Sequence, residues 1–170
     1  MKIGILGPTR IDEFCEVVNA GKTEYLYFLE QIAEYLASTN NSIVIMPSRI
    51  TAQGVVALTY KDLGGKKVIG VIPEDDVEWG IKDIDESVAD EVVNCETWRN
   101  QPEKLCEESD IFLLVGMSPG AMIEVCYSKW FKVKKVFIMT DFLSQKLPAE
   151  VEKDLDVEYI TLFELKDKIK

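Results

Sequence analysis

Continuous runs of apolar residues recur along the chain. They are separated by stretches in which apolar residues recur every three or four positions, as in an amphipathic helix. Because the runs do not alternate apolar with polar residues, each is expected to be a strand buried on both faces, as in a parallel sheet covered by helices. Strands that alternate with helices predict an α/β, Rossmann-like doubly wound fold, with a mostly parallel sheet of six or seven strands and helices on both faces. The six clear strands are Lys2–Leu6, Ser42–Met46, Lys67–Ile72, Ile111–Val115, Lys135–Thr140 and Val157–Thr161.

The helix-period stretches place apolar residues on one stripe. They are Thr23–Ser38, Ala52–Leu63 and Pro119–Phe131. Asp90–Cys95 is a weaker strand that fits a sheet edge, and Gln101–Glu108 fits a short helix with Pro102 in its first turn, where proline is tolerated. The charged stretch Glu74–Ser87 is interpreted as a solvated loop. A chain of 170 residues without repeat or linker suits one core, so we expect a single domain over residues 1–170.

Net charge limits the partners that this chain can have. It carries 30 acidic and 19 basic residues, a formal charge of -11. This charge repels nucleic acid and anionic membrane surfaces, so neither is expected as a partner. A small phosphorylated ligand is compatible, because a helix N-terminus binds anions through its backbone N–H groups. No apolar stretch reaches the roughly 18 residues of a membrane span and no signal peptide precedes the first strand, so we expect a cytoplasmic protein.

The chain contains no histidine and four cysteines. Without histidine, the Ser-His and Cys-His pairs of nucleophilic catalysis are excluded, and so is the commonest transition-metal ligand. The cysteines show no C-x-x-C spacing, so we interpret them as reduced packing thiols. We therefore expect neither a metal site nor a cofactor. Any chemistry must come from carboxylates, Arg, Lys, Tyr, Ser or Thr.

Three corners, each where a predicted strand ends, carry candidate ligand-binding residues. In an open parallel sheet the ligand lies beyond the carboxyl ends of the strands, near the point where the strand order reverses. Glycine, hydroxyl and arginine residues there suit an anionic ligand, although glycine also relieves turn strain and serine also caps helices. The candidates are Gly7, Pro8 and Thr9 beside the cation Arg10 in the first corner, Pro47, Ser48 and Arg49 in the second, and Ser118, Pro119, Gly120 and Ala121 in the third.

The stretch "GVVALTYKDLGGKKVIGVIP", Gly54–Pro73, resembles the helix, glycine turn and strand of the Lonely Guy family, whose relatives are also called lysine-decarboxylase-like. Downstream, Ala89–Val125 is similar to that family's order of edge strand, Arg-bearing helix start, buried strand and P-G-G-x-G-T-x-x-E corner. The resemblance implies a Rossmann-like nucleotide-binding fold. For active members it also implies hydrolysis of nucleoside monophosphates to free base and ribose 5-phosphate, with Glu124 and Arg99 as the matching catalytic residues.

Several positions depart from the family's motifs. The leading proline and first two glycines of the third corner are Gly116, Met117 and Ser118, and its threonine is Ala121. The family's other glycine-rich corner, G-G-G-x-x-G, is "MPSRIT", Met46–Thr51. Side chains here occupy space through which phosphate would contact the backbone. We therefore expect a protein that binds a nucleotide or nucleotide-like derivative with weak or no catalysis.

Two other functions stay open. In an active phosphoribohydrolase, Glu124 on the first turn of a helix would stabilise an oxocarbenium-like centre, and Arg99 would hold the phosphate or the leaving base. The helix dipole and a surface salt bridge are the structural explanations for the same two residues. A purely structural subunit explains the polar corners least well. The resemblance also implies a homo-oligomer, a dimer, and the aromatic residues Tyr127, Trp130 and Phe131 agree with one.

Overall fold

The computed structural model describes residues 1–74, 84–131 and 133–170. Seven parallel strands form one sheet in the order β4-β3-β2-β1-β5-β6-β7, with helices on both faces, so the predicted fold class is confirmed. The weaker strand expected at Asp90–Cys95 is Glu91–Asn94, and it lies at an edge of the sheet as predicted. The strands are β1 (Lys2–Leu6), β2 (Ser42–Ile45), β3 (Val68–Ile72), β4 (Glu91–Asn94), β5 (Ile111–Leu114), β6 (Val136–Met139) and β7 (Val157–Ile160).

Neighbouring parallel strands must be joined by crossover connections, and helices form most of these connections here. The helices are α1 (Ile11–Val17), α2 (Lys22–Ala37), α3 (Ala52–Asp62), α4 (Gln101–Glu108), α5 (Pro119–Tyr127), α6 (Ala149–Glu152) and α7 (Leu162–Lys168). A 3-10 turn, Ser128–Trp130, continues α5, which accounts for the longer helix expected there. Three short helices, α1, α6 and α7, were not predicted, because seven residues or fewer carry too little period to recognise.

Alternate residues of each strand build two separate apolar layers. Ile3 and Ile5 of β1 pack with α1, α2, α3 and α7 on one face of the sheet. Leu6 packs with α4 and α5 on the other face. Both layers contain side chains with almost no solvent exposure, such as Tyr25 in the first and Phe112 in the second. Burial on both faces explains why the central strands have continuous apolar sequences.

The strand order reverses between β1 and β5, which lie side by side at the centre of the sheet. Leu6 pairs with Leu114, and the N–H of Val115 donates to the carbonyl of Leu6 at 2.8 Å. The hydroxyl of Tyr25 donates to the carbonyl of Val115 at 3.1 Å, which anchors the end of β5 to α2. The loops that follow β1 and β5 therefore start at the same level. This is the position at which open α/β sheets bind ligands.

The corner after β2 is closed by its own packing. Thr51 caps α3 by accepting a hydrogen bond from the N–H of Gly54 at 3.1 Å, and the N–H of Ala52 donates to the carbonyl of Pro8 at 3.0 Å. A Cβ atom on Gly54 would lie 1.5 Å from the carbonyl oxygen of Ser48. Only glycine therefore allows the loop and the helix to approach this closely.

The charged stretch Glu74–Ser87 was interpreted as a solvated loop, and residues 75–83 of it lie outside the described residues. At its end, Asp85 caps a 3-10 turn, Glu86–Val88. Across residues 1–74, 84–131 and 133–170, no helix is long and apolar enough to cross a membrane.

Gly54→Ala is expected to lower the free energy of unfolding by about 3 kcal/mol or more, since a backbone carbonyl cannot move aside as a flexible side chain does. Urea unfolding followed by circular dichroism measures the loss. Gly120→Ala is the matched control, because a Cβ atom at Gly120 meets no atom within 4 Å. A Gly54→Ala protein as stable as the wild type would contradict this close approach of Ser48 to α3.

Candidate functional site

A cleft of about 650 Å³ opens at the carboxyl ends of β1 and β5, where the strand order reverses. The loop after β1 and the start of α5 form two of its sides. Met46 and Gln53, which flank the second corner, also line it, and so do Trp98 and Gln101 near the start of α4. The cleft thus draws on four of the corners at this edge of the sheet. The predicted candidates that line it are Gly7, Pro8, Thr9, Ser118, Pro119, Gly120, Ala121 and Glu124.

The three candidate residues of the second corner, Pro47, Ser48 and Arg49, do not line this cleft. The carbonyl of Pro47 accepts a hydrogen bond from the N–H of Asp85 at 3.1 Å, and Ser48 is fully buried. Arg49 forms an ion pair with Asp85, and its Nη2 donates to the hydroxyl of Ser87 at 2.8 Å. The hydroxyl and the N–H of Ser87 both donate to Oδ1 of Asp85. The Ser87 hydroxyl is the largest cause of the lowered pKa of Asp85, and Arg49 lowers it further. Pro47, Ser48 and Arg49 therefore pack against residues 85–87 rather than line the cleft.

Arg99 also lies apart from the cleft, although its neighbours Trp98 and Gln101 line it. Arg99 is exposed and makes no ion pair within the described part of the chain. The sequence indicated the right corner but not the side chains that face the cleft. Gln53, Trp98 and Gln101 were not singled out, and their only sequence signal is their closeness to the candidate corners.

The start of α5 offers one open backbone donor. The hydroxyl of Ser118 accepts from the N–H of Ala121 at 3.2 Å, so Ser118 acts as the N-cap and occupies that N–H group. Pro119 has no N–H to offer. The N–H of Gly120 has no partner among the described residues, and a Cβ atom there would enter open space. Gly120 is thus not required for packing, and its small size keeps a backbone N–H accessible from the cleft.

Glu124 is a buried carboxyl group at the cleft. It is 7% exposed, and its Oε1 accepts a hydrogen bond from Nε2 of Gln101 at 3.1 Å. Burial raises its pKa to about 7, and the Gln101 hydrogen bond opposes that rise. Within residues 1–74, 84–131 and 133–170 it has no cationic partner. A carboxyl group whose pKa is raised toward neutrality suits proton transfer.

The helix dipole does not explain this glutamate. We expected Glu124 on the first turn, but α5 begins at Pro119, which places Glu124 on the second turn. The stabilisation of a carboxylate by the helix dipole falls off within the first turn. Burial without a cation also makes the ionised form costly. Glu124 is thus not accounted for by the stability of the helix.

Charge at the mouth of the cleft comes from Arg10 and Glu13. Nη1 of Arg10 donates to both carboxylate oxygens of Glu13 at 3.0 and 3.2 Å, and both side chains are largely exposed. Exposed pairs of this kind contribute little free energy, so Arg10 can exchange Glu13 for a ligand anion. No group of three or more acidic or cysteine side chains in the described ranges is arranged to hold a metal ion.

No protein-family model matches the sequence, and no curated protein matches it. Among solved structures, the chain is similar to the molybdenum cofactor binding protein from the phototrophic bacterium Rippkaea orientalis, with a TM-score of 0.74 and 18% identity over 99% of this chain and 94% of that chain. It is also similar to the molybdenum cofactor carrier protein from Chlamydomonas reinhardtii, with a TM-score of 0.70 and 17% identity over 99% and 94% of the two chains.

A third similar structure is an X-ray structure from a structural genomics consortium, with a TM-score of 0.71 and 16% identity over 99% of this chain and 97% of that chain. At these identities the likeness shows a shared fold along almost the whole chain.

Glu124→Gln is expected to stabilise the protein at pH 8. The folded-state pKa of about 7 exceeds the usual 4.5, so stability is greatest below pH 4.5 and falls as pH rises to about 7. The amide cannot ionise and keeps an acceptor for Gln101. Urea unfolding at pH 4 and pH 8 should show little gain at pH 4 and a gain of up to about 3 kcal/mol at pH 8.

Glu164→Gln serves as the control, because the backbone hydrogen bond from Thr161 lowers the pKa of Glu164 and so gives the opposite trend. Equal stability of Glu124→Gln and wild type at pH 8 would show that Glu124 is not a buried, destabilising carboxylate.

Proposed function

We propose that this protein binds a nucleotide-like small molecule, a flat heterocycle joined to a phosphate, in the cleft between the ends of β1 and β5, with weak or no catalysis. We further propose that it is a divergent member of the Lonely Guy-like superfamily. The observation that carries the first proposal is the open N–H of Gly120, at a helix start that borders a partly apolar cleft. A cytoplasmic location stays a prediction from the sequence.

The start of α5 is the proposed phosphate end of the site. Here the N–H of Gly120 lies at the positive end of a helix dipole, and the hydroxyl of Ser118 can donate as well as accept. Thr9 and Arg10 border the same cleft and supply a hydroxyl and a guanidinium. A guanidinium holds phosphate oxygens through paired N–H groups. These donors support binding of one phosphate by a chain whose net charge is strongly negative.

The apolar lining of the cleft suits a heterocycle. Met46, Met117 and Trp98 contribute polarisable or aromatic side chains, which make favourable contact with flat rings. Gln101 and Glu124 add polar atoms that can orient such a ring or the sugar attached to it. An apolar cleft with a few convergent polar groups is the usual form of a small-molecule site.

The similar structures favour binding over turnover. Two of them are described as a molybdenum cofactor binding protein and a molybdenum cofactor carrier protein. A carrier holds its ligand without transforming it. The position of Arg99 outside the cleft agrees with this interpretation, because the arginine matched to catalysis does not border the proposed ligand. We therefore place molybdenum cofactor beside nucleoside monophosphates among the ligands to be tested.

The pKa and position of Glu124 support a second candidate function, hydrolysis of an N-glycosidic bond. A carboxyl group with a pKa of about 7 is suited to general acid–base catalysis. Glu124 also lies four residues after Gly120, about 6 Å along the helix, which is close to the distance from a phosphate to the sugar it carries. Met117 and Ser118 in place of two motif glycines argue that phosphate is held less tightly than in active members.

Ligand binding and turnover are separated by measuring thermal shift and base release together, for nucleoside monophosphates and for molybdenum cofactor. A ligand at 100 times its Kd should stabilise the protein by about 2.7 kcal/mol and raise Tm by roughly 5–10 °C. Gly120→Ala should abolish this shift, since its methyl group enters the phosphate position. It should leave the free protein at least as stable as before, because alanine is favoured over glycine within a helix. Release of base by the wild type that is lost in Glu124→Gln would establish the hydrolase instead. Absence of both the shift and base release would refute both functions.

We also propose that the protein is a homodimer that uses the end of α5. Ile123 and Trp130 are 51% and 69% exposed, and the ring of Tyr127 stacks with that of Phe131 at 6.3 Å. Exposed apolar groups on one helix end are typical of interfaces. Sedimentation velocity at micromolar concentration should show a dimer, and Trp130→Glu should convert it to monomer. A monomeric wild type would contradict the dimer.

A further inference from the structure

A second cavity, of about 510 Å³, adjoins the cleft. The two share Thr9, Arg10 and Glu13, so the loop after β1 forms their common border. We call this second cavity the side groove. Its remaining lining residues, from α1, α2, α3 and the loop after β2, are Ile11, Asp12, Lys22, Leu26, Arg49, Ile50 and Val55.

We propose that the side groove is a second anionic subsite, which takes another phosphoryl group of the ligand held in the cleft. The ligand class is then a nucleotide whose phosphate is extended as a diphosphate across Thr9 and Arg10. This inference rests on the proposed function, because it assumes that the first phosphoryl group lies at the start of α5.

The first support is the distribution of arginine. The chain has three arginines, Arg10, Arg49 and Arg99, and each follows the carboxyl end of a different strand. Two of them, Arg10 and Arg49, line the side groove. Arginine is the residue best suited to phosphate, because its planar guanidinium presents several N–H donors in a fixed arrangement. Arg49, which does not reach the cleft, thus has a role that the cleft does not explain.

The second support is that these guanidiniums keep unused donors. Arg49 bonds Asp85 through Nε and Ser87 through Nη2, which fixes its plane. Arg10 uses only Nη1, toward Glu13. Since a guanidinium has five N–H groups, both retain donors without a partner among the residues described. Arg49 is therefore positioned by its own neighbours yet able to bind an anion.

The third support is local charge. Arg10, Lys22 and Arg49 against Asp12 and Glu13 give the lining of the side groove a net charge of +1, and Asp85, the ion-pair partner of Arg49, brings it to zero, in a chain of charge -11. Lys22 pairs with Asp12 at 2.7 Å, and both side chains are more than half exposed. Exposed ion pairs are weak, so their cations can turn to a phosphoryl group that brings higher charge. The side groove is consequently a place where this acidic protein attracts an anion.

The apolar part of the side groove gives the extension a further contact. Ile50 is 58% exposed, and Leu26 and Val55 line the same cavity. An exposed isoleucine beside arginines offers a surface to the sugar or ring that follows a second phosphoryl group. This combination favours a diphosphate that links two organic parts over a free terminal diphosphate.

Titration calorimetry with inorganic phosphate and pyrophosphate, without divalent cations, tests the subsite independently of the base. Pyrophosphate should bind the wild type at least about tenfold more tightly than phosphate, as expected for added charge-assisted hydrogen bonds. Arg49→Gln should remove that advantage and leave phosphate binding unchanged. Lys22→Gln should reduce it as well.

Lys129→Gln is the matched control, because Lys129 forms an exposed pair with Asp154 and lines neither cavity. A general charge effect would weaken pyrophosphate equally in Lys129→Gln and Arg49→Gln, and that result would overturn the subsite. Equal binding of the two anions by the wild type, with phosphate still sensitive to Gly120→Ala, overturns the subsite alone. Binding of neither anion overturns the subsite together with the phosphate position in the proposed function.

Discussion

The parallel pairing of β1 with β5 decides where the other parts of this protein lie. It joins two halves of the sheet whose strand orders run in opposite directions, β1 to β4 on one side and β5 to β7 on the other. Because crossovers are right-handed, the connections of the two halves cover opposite faces. The loops after β1 and β5 thus diverge from neighbouring positions, and the space between them is the cleft. The hydrogen bonds that end at Leu6 and Val115 hold both loops at the same height.

The residues around that space divide into those that maintain the fold and those that do not. Gly54 permits a backbone approach that no other residue allows, and Ser118 caps a helix. Gly120 and Glu124 have no such explanation. A glycine in a helix and an uncompensated buried carboxyl group each lower stability. Residues that cost stability and border one cleft are typical of sites retained for binding or catalysis.

The corner after β2 differs in sequence from the glycine-rich motif that the resemblance led us to expect there. Where the Lonely Guy family has a glycine-rich corner, this chain has Pro47, Ser48 and Arg49, packed against residues 85–87. The backbone there is shielded from an anion, so only side chains are available to bind one. Arg49 lines the side groove, and the candidate residues that line the cleft come from the first and third corners.

Local pattern determined the fold. Six strands and the helices α2, α3 and α5 followed from the apolar pattern, because side-chain burial imposes that pattern directly on the sequence. Strand β4 was a weaker prediction, and α4 was recognised as a short helix with Pro102 in its first turn. Helix α7 was missed although Thr161 and Glu164 form a capping box, a signal that the sequence does contain. The third corner and Glu124 were also found from sequence, through motif position.

Tertiary structure alone decided which corners face one another. Gln53 and Gln101 lie in the first turns of α3 and α4, which meet at the cleft only when the sheet has formed, and no spacing along the chain reports that meeting. For the same reason the sequence could not show that Arg99 lies outside the cleft while Trp98 and Gln101 line it. The raised pKa of Glu124 likewise depends on the helices and loops packed around it, since desolvation is a property of the folded surroundings and not of the residue.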